Sequence, residues 1–118
     1  MLDFRLTRLR MTVAEQRAYP RIKPPSSVLV AWRSGIQRDV SRVESLGMGG
    51  LFLRTKKKVA LRSLVQILLD MPLGQVRGRA VVRWCQEQRG IAVQFIAMDP
   101  EDRGRLHRQI RDLSTAPS

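Results

Sequence analysis

Residues 27–53, SVLVAWRSGIQRDVSRVESLGMGGLFL, predict a β-hairpin followed by a glycine-rich break. Residues 27–33 are rich in apolar and β-branched side chains, and Ser34-Gly35 is a dipeptide typical of a tight turn. Residues 36–46 continue with a period of two, which predicts the returning strand. Glycines at positions 47, 49 and 50 then separate this strand from a third short strand, Leu51-Phe52-Leu53, and mark a place where the backbone needs unusual torsion angles or close approach to another group.

Three further strands and a terminal helix are predicted downstream. Apolar segments at 64–69, 76–84 and 90–95 alternate with turn-forming residues at 71–74 and 86–89. Asp99-Pro100 supplies a helix cap and a proline at the first helical position, and an apolar stripe follows at Leu106, Ile110 and Leu113. We therefore expect an all-β fold with a terminal helix, namely a closed or nearly closed six-stranded antiparallel β-barrel plus a C-terminal α-helix.

The composition limits the classes of protein to which the chain can belong. Its 118 residues suit one domain, and no apolar run approaches the ~20 residues of a membrane-spanning helix. The first ten residues lack the apolar stretch and cleavage site of a secretory signal, so we expect a cytoplasmic protein. Cys85 and His107 are the single cysteine and the single histidine, which predicts no internal disulfide and no metal site.

The sequence predicts a binding protein without catalytic residues. It has no glycine-lysine loop for phosphate, no cysteine-histidine pairing near a strand end and no paired carboxylates in a glycine-rich setting. The 22 Lys and Arg residues against 10 Asp and Glu residues give a net charge of +12. That charge would attract nucleic acid, anionic lipid or a phosphorylated small ligand alike.

Two motifs favour the small ligand. Arg17 and Arg21 lie four positions apart in a connector before the first strand, and the glycine cluster from Ser45 to Gly50 lies between two strands. With the order of elements over residues 15–113, they resemble the PilZ family, which has an RxxxR motif before a six-stranded, split-barrel type β-barrel and a D/N-x-S-x-x-G motif on a strand. The resemblance implies a bacterial receptor, without a cofactor, that binds the second messenger cyclic di-GMP between the two motifs.

The resemblance assigns ligand binding to Arg17, Arg21, Ser45, Gly47 and Gly50. A planar guanidinium can fork to a phosphate, bond guanine O6 and N7 and stack on a base, so both arginines suit this ligand. The second motif departs from the family pattern, because Ser45 stands where Asp or Asn is usual and Gly47 where Ser is usual. A serine hydroxyl makes fewer hydrogen bonds than a carboxylate and Gly47 offers only its backbone N–H, so we expect weakened binding.

Three further residues could line the edge of the ligand site, and Glu44 is one position early for the acidic role of the second motif. Gln16 precedes Arg17, and Gln94 lies on the face of its strand opposite the core residues, where a solvated position is the alternative. Trp84 ends an apolar strand, where core or rim packing and stacking on a ligand base are both open. Glu44 precedes Ser45, so strand alternation turns it to the other face unless a β-bulge among the glycines brings it round.

Two other functions remain open. A PilZ-like barrel with the Ser45 and Gly47 departures would serve as a protein-interaction module that does not bind cyclic di-GMP. A basic nucleic-acid-binding module would use the net charge, but the six aromatic residues of the chain give it few stacking platforms, and we do not favour a nucleic-acid partner.

Signalling is expected to depend on ordering of the connector. We expect residues 1–11 to be an extension without an assigned role, residues 12–113 the barrel domain and residues 114–118 a disordered tail. The connector with Arg17 and Arg21 would be mobile without ligand and fold onto the barrel when cyclic di-GMP bridges the motifs. An unidentified protein partner would read this change, and the resemblance implies a role in motility, adhesion or biofilm formation.

Overall fold

The structure is a computed structural model in which residues 21–115 are described. Within this range six strands are followed by one helix: β1 Leu29–Ser34, β2 Gln37–Leu46, β3 Gly50–Arg54, β4 Leu64–Met71, β5 Gly74–Gln86, β6 Gly90–Ala97 and α1 Pro100–Thr115. No helix in residues 21–115 combines the length and apolar character needed to cross a membrane.

The strands form one closed antiparallel barrel in the order β1-β2-β3-β6-β5-β4. Pairing of β1 with β4, with Val30 opposite Leu69, closes the barrel. Closure removes the free strand edges that an open sheet of this length would present to other chains. The six-stranded antiparallel barrel with a C-terminal helix that the sequence predicts is confirmed.

Alternate side chains of each strand fill the barrel interior. On β4 the inward positions are buried and the outward ones are exposed or half-buried, and the inward set is Val65, Ile67, Leu69 and Met71. On β1 the same alternation buries Trp32, whose indole N–H donates to Ser41 Oγ at 2.9 Å. This bond satisfies the one polar group that the tryptophan brings into the core.

Helix α1 is fixed to the β4–β5 hairpin by one buried amide. Gln109 is 2% exposed; its Oε1 accepts from the Leu73 backbone N–H at 2.9 Å and its Nε2 donates to the Gly74 carbonyl at 3.2 Å. The apolar stripe predicted from the sequence packs on the barrel beside it, with Leu106 and Ile110 buried and Leu113 partly buried. The helix therefore belongs to the same core as the barrel.

The first hairpin and the end of the helix differ from the sequence prediction. Ser34 pairs with Gln37, so the loop is Gly35-Ile36 and the returning strand begins after Ile36, which is fully exposed. Gly35 has a φ of +61°, as the first central residue of a tight two-residue hairpin loop requires. The helix continues two residues past the predicted domain end at 113, because Ser114 Oγ donates to the Arg111 carbonyl at 3.0 Å and satisfies a terminal acceptor.

Candidate functional site

The described end of the connector is attached to β2. Ile22 and Leu46 exchange two backbone hydrogen bonds, of 2.8 and 2.9 Å. This bridge holds Arg21 beside β2, where Arg21 Nε donates to Ser45 Oγ at 3.0 Å. A residue of the first motif therefore contacts a residue of the second. The other candidates of the first motif, Gln16 and Arg17, lie outside the described residues.

A β-bulge in β2 turns Glu44 and Ser45 into the same cleft. Val43 pairs with Leu53 and Ser45 pairs with Phe52, so that Glu44 is the extra residue without its own partner on β3. The sequence had left open a bulge among the glycines, but the bulge lies earlier, within β2. Simple strand alternation for Glu44 is therefore wrong, since the extra residue shifts the alternation by one position.

The cleft lies on the outer surface of the barrel and has a volume of about 370 Å³. We call it the outer cleft, and its lining residues are Glu44, Ser45, Phe52, Trp84, Gln86 and Arg89. The rings of Phe52 and Trp84 are 5.8 Å apart and tilted by 48°. Trp84 is 52% exposed, so it packs at the rim of the cleft and is not a core residue. The cleft thus offers an accessible aromatic surface on which a planar base can stack.

Glu44 and Arg89 form the charged part of the outer cleft. Arg89 Nη2 donates to Glu44 Oε1 at 2.7 Å, and the Arg89 guanidinium carbon lies 5.9 Å from the centre of the Phe52 ring. The hydrogen bond from Arg89 holds the pKa of Glu44 below its ordinary value, and the positive charges of Arg54 and Lys23 act in the same direction. The carboxylate is therefore ionised at neutral pH.

The second carboxylate oxygen of Glu44 is in a different situation. Glu44 Oε2 is buried, and the described part of the chain provides no hydrogen-bond donor for it. Burial of a charged oxygen without a donor is unfavourable. Such an atom is uncommon in a folded protein and needs a donor from outside residues 21–115.

Arg21 is partly removed from water while it keeps most of its donors. Burial lowers the pKa of its guanidinium below its ordinary value. The group stays charged, because arginine does not lose its proton in the pH range of proteins. The bond to Ser45 uses Nε, and within residues 21–115 no other bond uses the two Nη nitrogens, which form a planar pair of donors suited to a phosphate or a guanine.

The two glycine candidates have clear backbone roles. Gly47 is buried and its N–H donates to the Gly50 carbonyl at 2.9 Å, so the turn already uses the group that was expected to meet the ligand. At Gly50 an added Cβ would lie 2.1 Å from the backbone oxygen of Val93. Glycine at position 50 is therefore required by the approach of β6, independently of any ligand.

Gln94 lies next to this contact and outside the outer cleft. It is half-buried and pairs with Gly50 on β3 and Val81 on β5. The residues that line the outer cleft do not include it. Gln94 stays a prediction for the edge of a ligand that extends beyond the cleft toward Gly50.

Sequence reasoning missed Phe52, Gln86 and Arg89. Phe52 was read only as part of a strand, and the other two lie at the β5–β6 turn, 42 and 45 positions from Glu44. They reach the site because β6 pairs with β3, which places the β5–β6 turn beside β2 and β3. Among residues 21–115 no group of three or more His, Cys, Asp or Glu side chains could hold a metal ion.

Solved structures share this fold at low sequence identity. They include the inhibitor of motility MotI/DgrA of Bacillus subtilis, with a TM-score of 0.70 and 17% identity, covering 84% of this chain and 52% of that chain. The PilZ domain of YcgR from Escherichia coli with c-di-GMP has a TM-score of 0.68 and 19% identity, and the match covers 84% of this chain and 92% of that chain. The MrkH–c-di-GMP complex of K. pneumonia has a TM-score of 0.64 and 18% identity, and the match covers 81% of this chain and 51% of that chain.

The family follows from the sequence itself. This chain spans about half the length of the MotI/DgrA and MrkH chains, so the likeness to them concerns part of each. No curated protein matches the sequence. The sequence model of the PilZ domain matches residues 15–112, which is most of the chain, and the chain therefore belongs to the PilZ domain family.

Proposed function

We propose that the chain is a cyclic di-GMP receptor and that the ligand binds at the outer cleft. One observation carries the proposal: the hydrogen bond from Arg21 to Ser45 joins the two motifs beside a cleft that contains stacking rings and an anion-attracting arginine. The solved PilZ domain of YcgR and the MrkH complex, which share the fold, contain c-di-GMP. Membership in the same family supports the same ligand class here.

The side chains of the outer cleft suit the parts of this ligand. The two Nη nitrogens of Arg21 can fork to a phosphate or to guanine O6 and N7. Phe52 and Trp84 provide a surface for a guanine base, and Arg89 provides a positive charge beside it. Arg17 would supply a second guanidinium from the connector, as the family motif implies.

Signalling would depend on the part of the connector before Arg21. The Ile22–Leu46 bridge attaches the connector to β2 directly after Arg21, so the ordering that we propose concerns the residues up to Arg17 and its neighbours. An unidentified protein partner would read the new surface. Limited proteolysis tests this mechanism: cleavage within residues 10–25 should slow when cyclic di-GMP is added, and an unchanged rate would contradict the ordering.

Tryptophan fluorescence tests the site directly. Trp32 is 2% exposed in the core and Trp84 is 52% exposed at the outer cleft, so a ligand base that stacks in the cleft should change the emission of Trp84 alone. We expect cyclic di-GMP to quench the emission of the wild-type chain and not that of Trp84→Phe. GTP serves as the control for charge. Equal quenching by both nucleotides would show that the site does not select cyclic di-GMP, and quenching that survives in Trp84→Phe would place the ligand elsewhere.

A second candidate function is docking of an acidic protein, and the outer face of β2, β1, β4 and β5 favours it. Arg38 lies opposite Arg33, Arg33 opposite Gln66, and Gln66 opposite Arg79. We call this row the arginine row. Like charges directly opposite each other destabilise a sheet, and no ion pair among residues 21–115 joins an acid to these three arginines. An acidic partner would remove this repulsion.

The chemistry beside the arginine row favours a protein over a polynucleotide. The next row contains Val40, Ala31 and Leu68, and a groove of about 480 Å³ runs between the two rows. The cations are arginines, which are enriched in protein interfaces, whereas the lysines of the chain lie outside the strands at Lys23 and Lys56–58. No aromatic ring on this face is exposed for base stacking. The occupant that fits is a segment in which acidic and apolar side chains alternate.

Charge reversal tests this docking surface. A peptide of alternating Glu and Leu should bind the wild-type chain and shift the amide resonances of β1, β2 and β4. The peptide should not bind the double variant Arg33→Glu/Arg38→Glu. Lys56→Glu/Lys57→Glu, which changes the net charge equally at another loop, should leave binding intact. Equal loss in both variants, or tighter binding of oligothymidylate or anionic vesicles than of the peptide, would overturn the proposal.

A further inference from the structure

The outer cleft contains an acid that neither motif supplies. In the PilZ pattern the acidic or amide side chain stands at the position of Ser45, whose hydroxyl is already bonded to Arg21. The bulge in β2 gives Glu44 the same outward direction as Ser45 and places both in the cleft. The chain therefore has a carboxylate at the site, one position earlier than the family motif has it.

The hydrogen bonding of Glu44 is half complete. Oε1 accepts from Arg89, while the buried Oε2 has no donor among the described residues. A carboxylate has about four lone-pair positions, so Oε1 can also accept a second bond. The bond to Arg89 fixes the carboxylate in one orientation beside the cleft, so a ligand base that bonds both oxygens has to displace only the atoms that cover Oε2.

Guanine is the base whose edge matches this acceptor. Its N1–H and its exocyclic N2 amine point in the same direction and donate together to the two oxygens of a carboxylate. Adenine has no N2 amine and presents an acceptor at N1, which would face a charged oxygen. An ionised carboxylate therefore selects guanine and rejects adenine, since the mismatch leaves buried polar groups unpaired.

We propose that Glu44 is the residue that recognises guanine in this chain, taking the role that the family motif gives to the residue at position 45. This inference rests on the proposed function, because it assumes that cyclic di-GMP binds in the outer cleft. Arg89 is then a positioning residue: it orients Glu44 and does not itself discriminate between bases. Glu44 would thus compensate for the serine that replaces Asp or Asn at position 45, and this serine does not indicate that the ligand site is lost.

Cyclic di-IMP, which lacks the N2 amine and keeps N1–H, gives the sharpest test. The full chain should bind cyclic di-GMP at least about tenfold more tightly than cyclic di-IMP, since a bidentate contact is reduced to a single bond. In Glu44→Gln the affinity for cyclic di-GMP should fall and this ratio should approach one. Partial unfolding of the variant would lower both affinities by the same factor and would not change the ratio. Calorimetry measures all four affinities.

Two variants distinguish the carboxylate that recognises guanine from the residue that orients it and from its exact place in the sequence. Arg89→Gln removes the partner of Glu44 but keeps the carboxylate, so it should preserve the preference for cyclic di-GMP. Glu44→Gln/Ser45→Asp restores an acid at the family position and should recover the preference. A wild-type ratio that persists in Glu44→Gln overturns this inference alone, whereas a wild-type chain that binds no cyclic dinucleotide overturns the proposed function as well.

Discussion

Arg21 and Ser45 lie 24 positions apart in the sequence and are joined by a hydrogen bond of 3.0 Å from Nε to Oγ. The bond depends on a β-bridge at the adjacent residues Ile22 and Leu46. The bond uses Nε, and no bond to a residue in 21–115 uses the two Nη nitrogens of Arg21. Ser45 therefore orients the arginine in addition to any contact that it makes with a ligand itself.

Ser45→Ala should weaken cyclic di-GMP binding without abolishing it. The substitution removes one hydrogen bond from a charged donor, and we expect a loss of about tenfold. Ser45→Thr keeps the hydroxyl and should bind nearly as the wild type does. Fluorescence titration measures both, and equal affinities for Ala and wild type would show that Ser45 does not position Arg21.

Gly50→Ala should destabilise the fold by about 1–3 kcal/mol, because the new Cβ would collide with the backbone oxygen of Val93. Gly104→Ala is the matched control. Gly104 lies in α1 with open space around its Cα, so alanine there should stabilise by up to about 1 kcal/mol. Urea denaturation compares the two, and similar stabilities would contradict the close approach of β3 and β6.

Gln109→Ala should destabilise the fold by about 1–3 kcal/mol, since it leaves the Leu73 N–H and the Gly74 carbonyl without their partner. The neighbouring Arg108 is exposed, so Arg108→Ala should change the stability by less than about 0.5 kcal/mol. Thermal unfolding distinguishes them. A small effect of Gln109→Ala would show that this amide contributes little to fixing the helix on the barrel.

The Glu44–Arg89 pair should stabilise the fold at neutral pH and lose this effect in acid. The folded-state pKa of Glu44 is below its ordinary value of 4.5, so the ionised form is favoured by folding. The contribution is present above the ordinary value and disappears as the pH falls through the lower folded value. The stability difference between wild type and Glu44→Gln should therefore be constant above about pH 6 and shrink in acid. A stability difference between the two proteins that does not change with pH would contradict this contribution of the Glu44–Arg89 pair.

Much of the fold could be predicted from local sequence patterns. The period of two, the turn residues and the cap at Asp99-Pro100 identified all six strands and the helix, because these features act over a few neighbouring residues. The error at Ile36 arose because hydrogen-bond pairing between strands, and not local sequence, sets where a strand begins. Ile36 was assigned to a strand, whereas the pairing of Ser34 with Gln37 places it at the tip of the loop.

The site was less accessible to sequence reasoning. Arg21 and Ser45 could be named from their motifs, but the direction of Glu44 depends on a bulge whose position follows from pairing with β3. Arg89 carries no motif, and it reaches the cleft only because β6 crosses to pair with β3. Non-local pairing of this kind leaves no signature in a short stretch of sequence.

Calorimetric titration of cyclic di-GMP into the wild-type chain and into Arg21→Ala tests the central claim most directly. Arg21→Lys serves as the control for charge and GTP as the control for nucleotide. We expect selective binding of cyclic di-GMP by the wild type, a loss of at least about tenfold in Arg21→Ala and no recovery in Arg21→Lys, because lysine cannot form the planar fork. No binding, or equally weak binding of cyclic di-GMP and GTP, would contradict the receptor account.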